Sequence, residues 1–358
     1  MIKIKQALSA YETKYVKREL PPLAGTQKVT QLDRNENNYG PSTQVKQAII
    51  DEMPNISQYT DVAAQPLRGK IADSFGVETD QIIITNGSFE LISLIASVYQ
   101  NAGHTAITCV PTFDWYRVAT SINGGKLIEL PLTASHGFDL AGILATITAE
   151  TDIIWLCNPN NPTGTYLSHA EISAFLDKVP DDILVVLDEA YIEYMTVEVA
   201  DSIALIKNHE NLILLRTFSK IHGLASLRVG YGISNQEIIN QLFGLKVPPN
   251  MNRLSVQAAT ASLADKENIT KIAKLNEKQR DYFYQELDKR SLNYIKSQAN
   301  FIFVDFGYDV AELVNSLKNK GILVRGGAEY GYPNWLRITI GKAKENQLLF
   351  EKLDELFS

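Results

Sequence analysis

At 358 residues the chain exceeds the length at which one hydrophobic core keeps growing, so two domains are expected. Hydrophobic residues at 45% and charged residues at 21% are ordinary for a globular protein and exclude a fibre or a disordered chain. A formal net charge of -7 without lysine or arginine blocks argues against nucleic acid or an anionic membrane as partner, while leaving room for a small basic pocket.

The two cysteines, Cys109 and Cys157, sit in apolar strand-like runs and are too few for a disulfide framework or a Cys-rich metal site, so no metal is expected. The first twenty residues lack the apolar core of a signal peptide, and no later run approaches the roughly 20 apolar residues a membrane span needs. The expectation is a cytoplasmic protein with buried free thiols.

In chain order, residues 1–20 read as a helix ended by Pro21, Pro22 and Gly25. The loop RNENNYGPS runs from Arg34 to Ser42, and Ser42 can cap a helix over Thr43 to Met53. Pro66 to Phe75 is helical, with Gly76 as its terminator. QIIIT, Gln81 to Thr85, is a strand that Asn86, Gly87 and Ser88 turn into a helix, leaving backbone N–H groups where an anion can bind. Thr105 to Val110 is a further strand, followed by PTFDWY, whose Tyr116 is either packing or a stacking partner for a flat ring.

Ile153 to Cys157 forms a buried strand that breaks into NPNNPTG, Asn158 to Gly164, before a helix opened by the capping box of Ser168 and Glu171. Ile183 to Leu187 is another apolar strand, ending in Asp188, Glu189, Ala190 and Tyr191. A carboxylate at that position is either a cap or the partner of a cation, because burying it alone is costly. The run Asn211 to Leu215 then leads into Thr217, Ser219, Lys220 and Gly223, with Arg228 entering a second apolar run. Hydroxyls and backbone donors around Lys220 and Arg228 can converge on a phosphate, and a lysine poised there suits covalent chemistry through an imine, which requires the neutral amine. A lone Ser-Lys pair is more often a surface feature. Four strands that end in polar loops and alternate with helices nevertheless give the pattern of an open parallel sheet with its ligand at the carboxyl edge.

Past Asn250 the pattern changes to long amphipathic helices, roughly Arg253 to Arg290 with a break near Asp265. Next come NFIFVDF, Asn300 to Phe306, a helix over Val310 to Lys320, ILVR ending at Arg325, WLRITIG with Arg337, and a closing helix. Arg337 lies on a half-buried strand and needs a carboxylate or phosphate, either an internal ion pair or a ligand. The division expected is an N-terminal helix or arm over residues 1–30, a large domain over 31–250 and a small C-terminal α/β domain over 251–358.

Taken together, NPNNPTG, DEAY and TFSK, with Arg228 eight positions after the lysine, resemble the fold-type-I pyridoxal-phosphate enzymes, and aminotransferases in particular. LDRNENNYGPS, ITNGS, WLCNPNNPTGTY, LRTFSKIHGLASLRVGYGI, SQANFIFVDF and LRITIG resemble the histidinol-phosphate aminotransferase family from Leu32 to Gly341. The resemblance implies an α/β fold with a large, mostly parallel central sheet flanked by helices, a smaller C-terminal domain, and pyridoxal 5'-phosphate as cofactor. It makes Lys220 the amine that joins the cofactor and shuttles the proton, with Asp188 facing the pyridine nitrogen. Tyr191 and Asn161 would hydrogen-bond the phenolic oxygen, and Tyr116 would stack on the ring. Arg228, Thr217, Ser219 and the amides of Ser88 and Phe89 would hold the phosphate, joined by Tyr59 from a neighbouring subunit, which implies a homodimer. Arg337 and Arg325, with Asn161, would bind the anionic groups of a small-molecule amino donor and a 2-oxo acid.

Three positions depart from the family pattern. Phe89 stands where an acidic residue is usual, and Asn38 and Thr60 stand where proline is usual. The alternatives within the subfamily are an aromatic-amino-acid aminotransferase and a threonine-phosphate decarboxylase-like enzyme. A non-catalytic effector-binding protein of the same fold is the alternative from another class, although no basic helix-turn-helix segment is available. Gly230-x-Gly232 is not a GxGxxG fingerprint at a first βα turn, which removes a nicotinamide dehydrogenase.

Overall fold

The computed structural model describes residues 29–197 and 202–357. The helix expected over residues 1–20 lies outside them. The first described strand, β1 (Thr30–Gln31), is short, and a seven-stranded sheet follows. Its strands are β2 (Ile82–Thr85), β3 (Thr105–Val110), β4 (Lys126–Pro131), β5 (Thr151–Cys157), β6 (Leu184–Asp188), β7 (Leu212–Thr217) and β8 (Gly230–Ile233). They lie in the order β2-β8-β7-β6-β5-β3-β4, parallel except for β8, which runs against both neighbours.

Strands β6 and β7 are buried along their whole length because helices cover both faces, which is why they read as unbroken apolar runs. Their carboxyl ends lie level with that of β5: Cys157 pairs with Asp188, and Asp188 with Leu215. The returning β8 brings Gly230 opposite both Thr217 and Thr85. Only glycine fits there, since a Cβ would stand 2.7 Å from Gly87 C and Ser88 N. The turn that starts helix Ser88–Tyr99 is thereby pressed against the end of β7.

A second sheet of four antiparallel strands has the order β12-β13-β10-β9, where β9 is Asn293–Ile295, β10 Phe301–Asp305, β12 Arg325–Gly326 and β13 Trp335–Thr339. It packs on the long helix Lys266–Lys289 through Phe283, Leu287, Ile302, Val304, Leu336 and Ile338. The run expected as one strand to Arg325 divides at Val324. Its first half, β11 (Ile322–Leu323), pairs in parallel with β1, whereas β12 joins the second sheet.

The helix break at Asp265 is observed, and Asp265 caps the next helix by accepting from Asn268 N–H at 3.1 Å. Helix Arg253–Ala264 lies before that break, and it buries Val256, Ala258, Ala259 and Leu263 in the core of the large sheet. A division after residue 250 would cut this packing.

Candidate active site

The carboxyl ends of β5, β6 and β7 open into an inner compartment of about 140 Å³, which joins an outer cleft of about 480 Å³ facing the second sheet. Lys220, Tyr191, Asn161, Phe89 and Phe113 line both.

Lys220 follows the end of β7 in a tight turn, with Ser219 N–H bonded to Thr217 Oγ1 at 3.1 Å. Its Nζ donates to the Arg34 carbonyl at 3.1 Å and lies 5.4 Å from the centroid of the Tyr191 ring. Burial lowers its pKa to about 7, helped by the charges of Arg337 and Arg228 and opposed by Glu36 and Asp188. A neutral amine is therefore accessible near pH 7. The RNENNYG loop is docked onto this turn by Asn37 Nδ2, which donates to the Ile221 carbonyl at 2.7 Å. Gly223 lies so close to Gly40 and Pro41 that a Cβ there would meet their backbone at 2.8 Å.

Asp188 is 3% exposed. Its Oδ2 accepts from the Tyr116 hydroxyl at 2.8 Å and its Oδ1 from Ala190 N–H at 3.1 Å. Burial raises the carboxyl to about 6, opposed by these two donors and by the charge of Lys220, and among the described residues no cation is ion-paired with it. The adjacent Glu189, on the opposite face of the chain, already has one in Arg216 at 2.8 Å.

Tyr116 corrects one expectation. It does not line either compartment but lies fully buried behind Asp188, its ring stacked on Trp155 with centroids 5.1 Å apart. Its position in the first turn of helix Trp115–Ile122 aims it back under the sheet. Phe113, three residues earlier in the loop, does reach the cavity wall, set edge-on to Phe89 at 5.0 Å.

Arg228 has the left-handed φ of 55° and turns its guanidinium to Ser219 Oγ at 3.2 Å and the Ala225 carbonyl at 2.9 Å. Among the described residues no carboxylate pairs with it. Ser88, Thr217 and Ser219 line the same compartment. Gly87 caps helix Ser88–Tyr99 without a side chain, so the first amides of that helix keep their donors. A Cβ on Gly87, whose φ is 79°, would collide with the Arg228 guanidinium. Cation, hydroxyls and helix N-terminus together fit a phosphate.

Arg337 is 5% exposed and is met by neutral acceptors, Asn161 Oδ1 at 2.6 Å, the Tyr330 hydroxyl at 2.9 Å and the Asp33 carbonyl at 2.7 Å. The internal ion pair is absent among the described residues, and the charge stays available to an anion in the outer cleft. Arg325 differs in being ion-paired with Glu329. Tyr191 accepts from Asn35 Nδ2 at 3.0 Å, and burial raises its pKa. Tyr59 is 86% exposed and lies outside both compartments of its own chain. Sequence reasoning gave no role to Phe113, Asn35 or Glu36, although the motifs containing them were visible.

This geometry defines a class: an α/β protein with a buried amine, a buried carboxylate and an anion cradle gathered at the carboxyl edge of a parallel sheet. Comparison with known proteins narrows it. Residues 27–353 match the family described as aminotransferase class I and II. The histidinol-phosphate aminotransferase of Caldicellulosiruptor saccharolyticus is 42% identical over 342 residues, covering 95% of this chain and 94% of that protein. That of Anoxybacillus flavithermus is 39% identical over 92% of this chain and 88% of its own. Among solved structures, histidinol-phosphate aminotransferase from Sinorhizobium meliloti in complex with pyridoxal-5'-phosphate superposes with a TM-score of 0.87 at 27% identity, over 98% of this chain and 100% of that one. The chain belongs to the aminotransferase class I and II family.

Proposed function

We propose that this protein is a pyridoxal 5'-phosphate-dependent aminotransferase that moves the amino group of L-histidinol phosphate to 2-oxoglutarate. The observation that carries the reading is the inner compartment itself, where the Lys220 amine, the Asp188 carboxylate and the Arg228 guanidinium face one space, the last two without an ion-pair partner among the described residues. They match the aldehyde, the ring nitrogen and the phosphate of the cofactor. When bound, the cofactor supplies an electron sink for the pair of electrons left at the substrate carbon.

The chain's own groups do the rest. Lys220, as the neutral amine, would hold the cofactor at its carbonyl carbon with the oxygen leaving as water, and would carry the proton to and from the substrate carbon. Asp188, braced by Tyr116 and Ala190, would hold a proton on the ring nitrogen by charge. Arg228, Ser219, Thr217 and the first amides of helix Ser88–Tyr99 would hold the phosphate. Tyr191 and Asn161 would hydrogen-bond the ring oxygen, and Phe113 would pack against the ring. Arg337 takes the anionic group of each substrate in turn.

A homodimer with shared sites accords with the apolar residues left bare outside the cavity, Ile50 and Ile56 at 60%, Tyr59 at 86% and Val247 at 73% exposure. None of the described helices is long and apolar enough to cross a membrane.

A second reading, an aromatic-amino-acid aminotransferase, draws on the apolar wall of Phe89 and Phe113. Absorbance of the loaded protein on adding histidinol phosphate, phenylalanine or threonine phosphate separates these readings. Histidinol phosphate is expected to bleach the lysine-bound cofactor band fastest, and 2-oxoglutarate to restore it. Preferential bleaching by phenylalanine, or carbon dioxide release from threonine phosphate, would reverse the assignment.

A further inference from the structure

The outer cleft is lined by five basic side chains, Arg34, Lys220, Lys318, Arg325 and Arg337, and three acidic ones, Asp33, Asp114 and Glu329. Its two strand-borne arginines, Arg325 on β12 and Arg337 on β13, are opposite partners in the second sheet, yet they are held differently. Among the described residues Arg337 meets neutral acceptors only, as described above. Arg325 carries a built-in anion, the carboxylate of Glu329, with the two side chains 23% and 35% exposed.

Glu329 lies on the short turn Gly327–Tyr330, which closes at Gly331 with a φ of 80°. The backbone of this turn is tightly seated, since a Cβ on Gly327 would lie 2.8 Å from the Trp335 carbonyl oxygen. Moving Glu329 off Arg325 therefore takes a side-chain rotation at the cleft mouth, not a loop rearrangement. The next residue, Tyr330, places its hydroxyl on Arg337, so one turn addresses both guanidinium groups.

We propose that Glu329 is a specificity-determining residue, an exchangeable counter-ion that keeps Arg325 occupied for a carboxylate substrate and yields it to a phosphate substrate. The proposal rests on the reading that the cavity takes a phosphate-bearing donor and a dicarboxylate acceptor in turn. A single carboxylate is balanced by Arg337 alone. A phosphate dianion leaves one charge over, and it gains twice as much as a monoanion from a second guanidinium at the same distance. Glu329 sits where water can resolvate it once displaced, so giving up its partner costs no more than a partly exposed ion pair does. The site can thus match its charge to two anionic groups of unequal charge, a phosphate and one carboxylate of the acceptor, without moving its backbone.

The test uses the cofactor-loaded protein, in which the phosphate cradle is filled, with inorganic phosphate and acetate as probes at fixed ionic strength. Glu329→Gln is expected to bind inorganic phosphate about fivefold more tightly while acetate stays within about twofold, the scale of a partly exposed pair. In an Arg325→Gln background the same change should have no further effect on phosphate, the signature of a coupled pair. Phosphate affinity unchanged or weakened in Glu329→Gln, or acetate improved by the same factor, would overturn the proposal. Both probes are read by binding, so a wild type that fails to turn over histidinol phosphate would sink the functional reading and still leave the role of Glu329 decided.

Discussion

Asp188→Asn is expected to stabilise the cofactor-free protein while destroying its use of the cofactor. The side chain is 3% exposed, and its carboxyl is raised from 3.8 to about 6, first of all by burial. A carboxyl with a raised folded-state pKa binds its proton more tightly in the folded chain. Its penalty is absent below about pH 3.8, grows as pH rises toward 6 and is complete above that. The displacement corresponds to about 3 kcal/mol of stability withheld from the cofactor-free chain at pH 8, at about 1.36 kcal/mol per pH unit. Asparagine keeps an acceptor for Ala190 N–H and remains within hydrogen-bond reach of Tyr116 without the charge. Urea unfolding should therefore show the variant more stable than wild type at pH 8, with the difference shrinking as the pH is lowered toward 4. With cofactor bound the order should reverse, because the cationic ring nitrogen that offsets the wild-type charge gains nothing from an amide. A variant no more stable than wild type at pH 8, or a difference that does not depend on pH, would refute the reasoning.

Arg228→Ala should weaken retention of the cofactor by about a hundredfold, the scale of losing a charged hydrogen-bonding partner of a buried phosphate, and equilibrium dialysis measures it. Gly87→Ala should destabilise the protein by about 1–2 kcal/mol, because alanine resists a φ of 79° and its methyl group displaces Arg228, with cofactor release as the second readout. Lys220 in the cofactor-free protein should react with amine-acylating reagents along a titration centred near pH 7, set by burial and then by the charge of Arg337. Arg337→Leu should move that midpoint upward, since one of the charges that disfavours the ammonium is gone. A midpoint that stays in place would show that Arg337 does not act on Lys220.

The strands most legible in the sequence were those buried on both faces. Leu184–Asp188 and Leu212–Thr217 read as continuous apolar runs with polar ends, and the polar ends are where the site lies. Edge strand Lys126–Pro131 gave no such signal, since its residues are exposed or half-buried and it ends in proline. Helix Arg253–Ala264 looked like part of the C-terminal unit, because its amphipathic pattern runs on toward Lys289 and only packing shows which core it serves. The break at Val324 was equally hidden, because a strand that changes partners keeps its β pattern.

Within the site, Lys220, Asp188 and Arg228 stood out through residue type at a strand end. Tyr116 and Phe113 show what residue type leaves open. Three positions apart in one aromatic motif, one ring is directed under the sheet by a helical turn and the other is left at the cavity wall. The contribution of Arg34 was equally out of reach, because its carbonyl meets Lys220 across 186 positions of sequence. The pairing of Arg325 with Glu329 had a visible i,i+4 spacing, but the intervening turn is not a regular α-helix, so the spacing alone placed neither side chain.

The central claim is that one amine, Lys220, joins the cofactor, and borohydride reduction followed by peptide mapping tests it most directly. Reduction of the loaded protein should fix one pyridoxyl group per chain on the peptide containing residue 220, and Lys220→Ala should carry none while still binding the cofactor reversibly. Label on another lysine, or none on a wild type that turns over substrate, would contradict the account.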